Sequence, residues 1–180
     1  TASYEQNYAD ALKLAKILHR LHTLPVPTIA AVSGHAIGFG VGLVAACDVA
    51  VAADTAVFRF SEVRLGIIPA VISPYVLAAI GQRAARRYFL NGESFPAAEA
   101  GRLGLLHGFC KLEEFGAVTA QMVAELLAGK KHAQLAIKSL LDDMARPRID
   151  EALIEDTVRR LADIRATPEA QAALADFLSR

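Results

Sequence analysis

The 180-residue sequence predicts an α/β fold that continues into a purely helical region. Two apolar, strand-like runs, Thr28–Val32 and Asp48–Ala52, flank a glycine-rich loop and an apolar helical stretch. A strand, a crossover helix and a second strand in this order are typical of a parallel sheet with right-handed connections. From Glu113 onward the hydrophobic spacing is helical only. We therefore expect an α/β core over 1–110 and a helical region over 111–180.

Composition excludes several classes of protein. The chain is 54% hydrophobic and 21% charged, which is too apolar for a disordered chain. Its 19 basic and 19 acidic residues cancel, so nothing indicates nucleic-acid binding, and a net charge of zero favours self-association. Between Arg20 and Asp48 there is no charged residue, but prolines and glycines in this segment argue against a membrane span. The thiols of Cys47 and Cys110 fit a reducing compartment, so we expect a cytoplasmic protein.

An amphipathic helix is predicted over residues 3–23. Ser3 and Gln6 have the spacing of a capping box, and leucines recur at helical intervals. Pro25 ends the helix, since proline fixes its backbone and lacks an N–H group. The run Thr28–Val32 follows, and its unbroken apolar character is typical of a strand buried on both faces.

Short strands and helices then alternate. A loop over 33–40 precedes a helix from about Gly40 to Cys47, and Val57–Phe60 alternates like a strand. Stop signals separate the later helical stretches. These stretches begin at Ser73, Gln82 and Pro96, and a last strand is expected within Leu105–Cys110.

The glycine-rich loop Gly34–Gly40 is the first candidate site. The first turn of a helix leaves N–H groups unpaired and carries about half a positive charge, so such a loop suits an oxyanion or a phosphate. The loop lacks the dinucleotide fingerprint and a Walker lysine. Tight packing of the helix on the strand is the alternative explanation. His35 in this loop is either a ligand-binding residue or simply an exposed one.

Glu62 is the second candidate, because it stands between an apolar strand and an apolar segment. A carboxyl group in such surroundings can act as a general acid or base. An ion pair with Arg59 or Arg64, or a helix cap with Ser61, is the alternative.

Two further clusters are weaker candidates. The arginine-rich run Arg83–Arg87 has the charge to meet phosphates, although a solvated helix face is the usual explanation for such a run. His19 and His22 share one helix face without further ligands nearby, so we expect no metal site.

Several spaced motifs make the chain resemble the crotonase (enoyl-CoA hydratase/isomerase) superfamily. The segments that carry this resemblance are, in order, Pro27–Gly40, Ala46–Ala52, Ser61–Pro69, Leu90–Glu93, Ala97–His107 and Thr167–Arg180. The resemblance implies part of a crotonase-like spiral core of ββα units, followed by a helical trimerisation region. Within the family, Gly40–Asp48 and Ile68–Val76 resemble the corresponding segments of bacterial 3-methylglutaconyl-CoA hydratases. They are also similar to those of the related isohexenylglutaconyl-CoA hydratases.

The resemblance also assigns roles to individual residues. It implies that Glu62 exchanges a proton with C2 of the acyl group, and that the backbone N–H of Phe39 is a donor of the oxyanion hole. The second carboxylate of the hydratases falls on Gly42 and is missing, which would leave room for a carboxylate of the substrate. Phe177 and Arg180 would reach the CoA bound by a neighbouring subunit, although Arg180 stands where a lysine is usual. Further implied contacts to the substrate are His35, Gly38, Gly42, Ser61 and Ala70.

The implied activity is the reversible hydration of a branched 2-enoyl-CoA such as 3-methylglutaconyl-CoA. The CoA thioester is the substrate, and no separate cofactor is implied. An isomerase that uses Glu62 alone and a non-catalytic homologue that binds acyl-CoA are the alternatives. The resemblance implies a homotrimer, or a hexamer of two trimers. Because family chains are longer, we expect the N-terminal third of the family domain, with the other oxyanion donor, to be absent from this sequence.

Overall fold

Two small sheets, each with three strands, organise the N-terminal part of the chain. The computed structural model describes residues 3–144, 151–165 and 167–172. The chain divides into two compact units, one ending at Val123 and the other beginning at Ala124. All strands of the described residues belong to the first unit, and the last of them ends at Cys110. The division of the chain after residue 110 itself stays a prediction.

The first sheet has the strand order β1-β3-β6 and is parallel throughout. The second has the order β2-β4-β5, in which β2 and β4 are parallel and β5 is antiparallel to β4. The strands are β1 (Ile29–Val32), β2 (His35–Ile37), β3 (Val49–Ala53), β4 (Val57–Arg59), β5 (Ser94–Pro96) and β6 (Gly108–Cys110). Sequence analysis missed β2 and β5, because His35–Ile37 lies inside the predicted glycine-rich loop and Ser94–Pro96 ends in a proline that was taken as the start of a helix.

Helices make up most of the rest of the described chain. They are α1 (Tyr4–His22), α2 (Phe39–Ala46), α3 (Ser73–Asn91), α4 (Ala97–Leu103), α5 (Phe115–Ala128), α6 (Lys131–Asp143) and α7 (Glu151–Arg165), with 3-10 helices at Glu62–Leu65 and Leu112–Glu114. Within the described ranges, no helix combines the length and the apolar character that crossing a membrane requires.

Short sequence patterns predicted the start of α1 and the end of α4, and the structure shows both. The capping box of α1 is confirmed: the Gln6 N–H donates to Ser3 Oγ at 3.3 Å, and the Ser3 N–H donates to Gln6 Oε1 at 2.9 Å. The two helices expected from Ser73 and Gln82 are the two halves of α3, which bends where Gly81 adopts φ 71° and ψ 164°. Gly104 ends α4 in the left-handed conformation, as its position predicts.

The expectation that the run Thr28–Val32 is buried on both faces is wrong. Within β1, Ala31 is exposed and the other three residues are only half-buried. The strand lies at a sheet edge, with β3 as its one neighbour among the described strands. The central strand β3 has the burial that was expected of β1, since four of its five residues are buried.

Aromatic packing fixes the end of β4. Phe58 and Phe60 are fully buried, and their ring centroids lie 5.8 Å and 5.9 Å from that of Phe95. Tyr88 packs on the same ring at 4.4 Å. Each buried phenylalanine contributes about 1.5–3 kcal/mol relative to an exposed one. This cluster holds the chain rigidly just before it reaches Glu62.

The second unit contains α6 and α7. Glu169 Oε2 accepts a hydrogen bond from the backbone N–H of His132 at 3.1 Å and lies 3.5 Å from His132 Nδ1. Gln134 Nε2 donates to the carbonyl oxygen of Leu126 at 2.6 Å. Leu135, Ile137 and Leu141 on α6 remain exposed.

Candidate active site

Two parallel strands, β2 and β4, end at the same edge of their sheet. Ile37 is in register with Arg59, and the Gly38 N–H donates to the Arg59 carbonyl oxygen at 2.8 Å. Loops that follow the carboxyl ends of parallel strands lie side by side. The pairing therefore brings the start of α2 next to the turn that carries Ser61 and Glu62, although these segments are more than twenty residues apart.

Gly38 packs directly against the Glu62 carboxyl group. A Cβ at Gly38 would lie 3.1 Å from Glu62 Oε1 and 3.7 Å from Ser61 Oγ. The residue also adopts φ +54°, a conformation that favours glycine. Both the backbone and the space thus require glycine here, and its absent side chain lets the carboxyl group approach the loop.

One oxygen of the Glu62 carboxyl group is buried without a hydrogen-bond partner among the described residues. Oε2 is buried and accepts no hydrogen bond from the described residues, the only side-chain atom there in that state. Neither expected ion pair is present within the described part of the chain, and Arg59 Nε instead donates to the Gly92 carbonyl oxygen at 2.8 Å. The Ser61 side chain does not cap the 3-10 helix. A buried polar atom left unpaired costs about 1–3 kcal/mol, so stability does not explain this arrangement.

The N-terminus of α2 offers free N–H groups beside this carboxyl group. The Gly38 carbonyl oxygen accepts from the N–H groups of Val41 at 2.9 Å and Gly42 at 3.3 Å. The N–H groups of Phe39 and Gly40 donate to no acceptor among the described residues, and no side chain caps the helix. Such orphan donors, at the positive end of a helix, suit a negatively charged oxygen. The role of Phe39 stays a prediction, and Gly40 is a donor that sequence analysis did not single out.

The structure has no free space next to Gly42, where the sequence predicted space for a carboxylate of the substrate. A Cβ at Gly42 would come within 2.3 Å of Ile72 Cγ2, and Ile72 is only 1% exposed. The idea that Gly42 leaves space for a substrate carboxylate is therefore wrong for this structure. Ile72, just before α3, fills that space, and no local pattern in the sequence signals the contact.

The other expected substrate contacts are distributed unevenly. Ser61 lies with Gly38 and Glu62, and Phe39 follows Gly38 in the chain. His35 is exposed at the opposite end of β2, three residues or about 10 Å along the strand from Gly38, so the structure does not bring it to Glu62. Ala70 lies in the turn before α3, where its carbonyl oxygen accepts from Ser73 Oγ at 2.8 Å. Phe177 and Arg180 lie outside the described residues.

Apolar side chains lie exposed on the segment that follows Glu62. Leu65, Ile67 and Ile68 are 71%, 58% and 77% exposed. The Ile67 N–H donates to the main-chain carbonyl oxygen of Glu62 at 3.1 Å, which ties this segment to the backbone of the turn that carries Glu62. Exposed apolar groups that adjoin one another mark a binding surface. The arrangement combines a carboxyl group with one buried, unpaired oxygen, free N–H donors and an apolar surface. Among the described residues no three His, Cys, Asp or Glu side chains form a group that could hold a metal ion.

Comparisons with known proteins show the family and the fold of this chain. Residues 2–180 match the family model described as enoyl-CoA hydratase/isomerase. A crystal structure of an enoyl-CoA hydratase from Shewanella pealeana has a TM-score of 0.93 and 40% identity, covering 99% of this chain and 66% of that one. An enoyl-CoA hydratase from Mycobacterium smegmatis has a TM-score of 0.94 and 26% identity, covering 99% and 69%. The enoyl-CoA hydratase AKT6-1 of Alternaria alternata is 33% identical over 141 residues, which are 76% of this chain and 47% of that protein. The first three curated relatives are matched over only 41–47% of their length.

Proposed function

This chain belongs to the enoyl-CoA hydratase/isomerase family, and on that premise we propose that it hydrates a 2-enoyl-CoA thioester with Glu62 as the proton-transfer group. The crotonase-like α/β fold expected from the sequence is confirmed by the family match and the solved neighbours. The observation that carries the proposal is the buried, unpartnered Oε2 of Glu62, whose carboxyl group packs against Gly38, the residue before the free N–H of Phe39.

The proposed step adds water across the C2–C3 double bond. The oxygen of water bonds to C3, and the electron pair of the double bond moves toward C2 and the thioester carbonyl oxygen. The Phe39 N–H stabilises the negative charge on that oxygen, and one such donor is worth about 2.7–4 kcal/mol. Glu62 accepts a proton from the attacking water and delivers a proton to C2. One carboxyl group then completes the cycle unchanged, and the reverse sequence is dehydration.

The proposed substrate is a branched enoyl-CoA of the 3-methylglutaconyl type. The resemblance of Gly40–Asp48 and Ile68–Val76 to hydratases of such substrates supports this choice. The exposed side chains of Leu65, Ile67 and Ile68 suit an apolar branch of the acyl group. Since Ile72 fills the space over Gly42, we assign no contact there to the substrate's own carboxylate.

An enoyl-CoA isomerase is the second candidate, and Gly42 is the observation that favours it. Without a second carboxylate, Glu62 could remove a proton from one face of C4 and return it to C2 while the double bond moves from C2–C3 to C3–C4, or the reverse. This reaction needs no water. A homologue that only binds acyl-CoA is the third possibility, and the retained Glu62 argues against it.

The three candidates separate in one set of assays. We expect purified protein to remove the enoyl-thioester absorbance of 3-methylglutaconyl-CoA and to incorporate labelled oxygen from water at C3. Glu62→Gln should reduce turnover about 10²–10⁴-fold, the usual share of a general acid or base, while acyl-CoA binding persists. Double-bond migration without labelled oxygen would establish the isomerase instead. Binding without turnover in the unaltered protein would establish the non-catalytic homologue.

We further propose that the chain assembles as a trimer or as a hexamer of two trimers. Exposed Leu135, Ile137 and Leu141 on α6 supply an apolar face suited to another subunit. Light scattering at micromolar concentration measures the mass. A value that stays near the 19.2 kDa of one chain on concentration would refute the assembly.

A further inference from the structure

A cavity of about 700 Å³ lies along α3 and α4, and four of its nine lining residues are arginines. Arg83, Arg86 and Arg87 extend from the second half of α3, and Arg102 extends from α4. The chain as a whole has no net charge, so this is a local concentration of positive charge. We call this cavity the arginine groove.

Arg102 is held in a fixed position by Glu99. Its Nε donates to Glu99 Oε2 and its Nη2 to Oε1, both at 2.7 Å. The Tyr88 hydroxyl also donates to Oε1 at 2.8 Å. These hydrogen bonds, with that from Arg102 the strongest, lower the pKa of Glu99 to about 2. The carboxylate therefore stays charged and anchors the guanidinium group at one wall of the groove.

Arg87 is held by a second set of contacts. Its Nε pairs with Glu93, and its guanidinium carbon lies 5.1 Å from the centroid of the Tyr88 ring. Tyr88 is only 2% exposed, so the ring is a rigid support. Two of the four guanidinium groups are thus fixed, and their charges are balanced by Glu93 and Glu99.

Arg83 and Arg86 are left uncompensated. They are exposed and lie three positions apart on α3, on neighbouring positions of one helix face. No carboxylate in the described part of the chain forms an ion pair with either. Like charges at this spacing repel each other. The groove therefore carries two positive charges without a counter-charge, beside two that are already fixed.

We infer that the arginine groove binds a ligand that carries a diphosphate group. A guanidinium group matches a phosphate with two parallel N–H bonds, so Arg83 and Arg86 can each take one phosphate of a linked pair. The volume is within the range of small-molecule sites, about 300–1,000 Å³. None of the lining residues belongs to the site at Glu62, so the inference is independent of the proposed function.

Calorimetric titration of the full chain with inorganic pyrophosphate at low ionic strength tests the inference. We expect Arg83→Ala/Arg86→Ala to weaken binding at least tenfold and Arg83→Lys/Arg86→Lys to weaken it by less. The control Lys16→Ala/Arg20→Ala removes two exposed positive charges from α1 and should leave binding unchanged. Circular dichroism verifies that each variant folds. Absence of pyrophosphate binding, equal binding of sulfate, or an equal loss in the control would overturn the inference.

Competition identifies the source of the diphosphate. Displacement of pyrophosphate by ADP and by CoA alike indicates a nucleotide diphosphate in general, whereas displacement by CoA alone indicates the tail of a CoA thioester. Failure of both to displace it would overturn the inference that the groove admits a diphosphate within a larger molecule. Glu62→Gln should bind pyrophosphate as the unaltered chain does, which separates this site from the proposed catalytic one.

Discussion

A Cβ placed on Gly38 would lie 3.1 Å from Oε1 of Glu62, so the carboxyl group rests against a stretch of backbone that has no side chain to hold it away. The two residues come from different loops, which the parallel pairing of β2 with β4 brings side by side. The activity of this site should therefore be sensitive to changes on either loop.

Gly38→Ala should reduce both activity and stability. The added methyl group displaces the Glu62 carboxyl group, and φ +54° costs a residue with a Cβ about 1–2 kcal/mol. We expect a clear loss of turnover with a stability loss of that size, measured by kcat and by urea unfolding. Gly34→Ala is the matched control, because a Cβ there meets nothing within 4 Å. An active Gly38→Ala variant would contradict the proposed position of the carboxylate.

Phe39→Pro and Phe39→Gly separate the backbone from the side chain. Phe39 is the first residue of α2, where proline is tolerated because the N–H has no intrahelical partner. Phe39→Pro should therefore fold yet lose most turnover, whereas Phe39→Gly keeps the N–H group and should stay within about tenfold of the unaltered protein. Steady-state assays measure the turnover of both variants, and circular dichroism verifies that both fold. Similar activity in the two variants would exclude an oxyanion role for this N–H.

Gly42→Ala should destabilise the protein through its contact with Ile72. A Cβ would overlap Ile72 Cγ2, and overpacking of this kind costs about 1–3 kcal/mol. Gly40→Ala, on the same helix with open space around it, should be neutral or stabilising. Ile72→Ala alone opens a cavity, but in combination with Gly42→Ala it should recover part of the loss. Additive free energies of unfolding in this double-mutant cycle would disprove the contact.

Glu99 should make the free energy of unfolding depend on pH in the acidic range. The hydrogen bonds from Arg102 and Tyr88 lower its pKa from 4.5 to about 2 in the folded protein. A group with a lowered pKa contributes its stability above the unfolded value and loses it as the pH falls through the folded value. The stability advantage of the unaltered protein over Glu99→Gln should therefore shrink from pH 4.5 toward pH 2. An advantage that stays constant across this range, in urea titrations, would contradict the assignment.

Local signals were enough for part of this structure. The Ser3–Gln6 capping box involves residues three apart, and Gly104 acts on its own helix, so both were predictable from a short window. The two candidate loops were also found separately, from the glycines before Gly40 and from the isolated carboxylate of Glu62.

What could not be predicted depends on contacts between distant segments. The approach of Gly38 to Glu62 requires the strand β2, which lies inside the segment that the sequence predicted as a glycine-rich loop. The contact of Ile72 with Gly42 joins residues thirty positions apart and overturned the expected space for a substrate carboxylate. Burial of β1 was misjudged because composition does not tell a central strand from an edge strand.

The edge position of β1 has a practical consequence for handling the protein. Its four residues, Ile29–Val32, are uncharged, and β3 is their one partner among the described strands. An apolar edge without a charged residue is a template for strand addition by another chain. Concentrated preparations should therefore aggregate through this edge, and Ala31→Lys, which places a charge on its exposed residue, should improve solubility without disturbing the core.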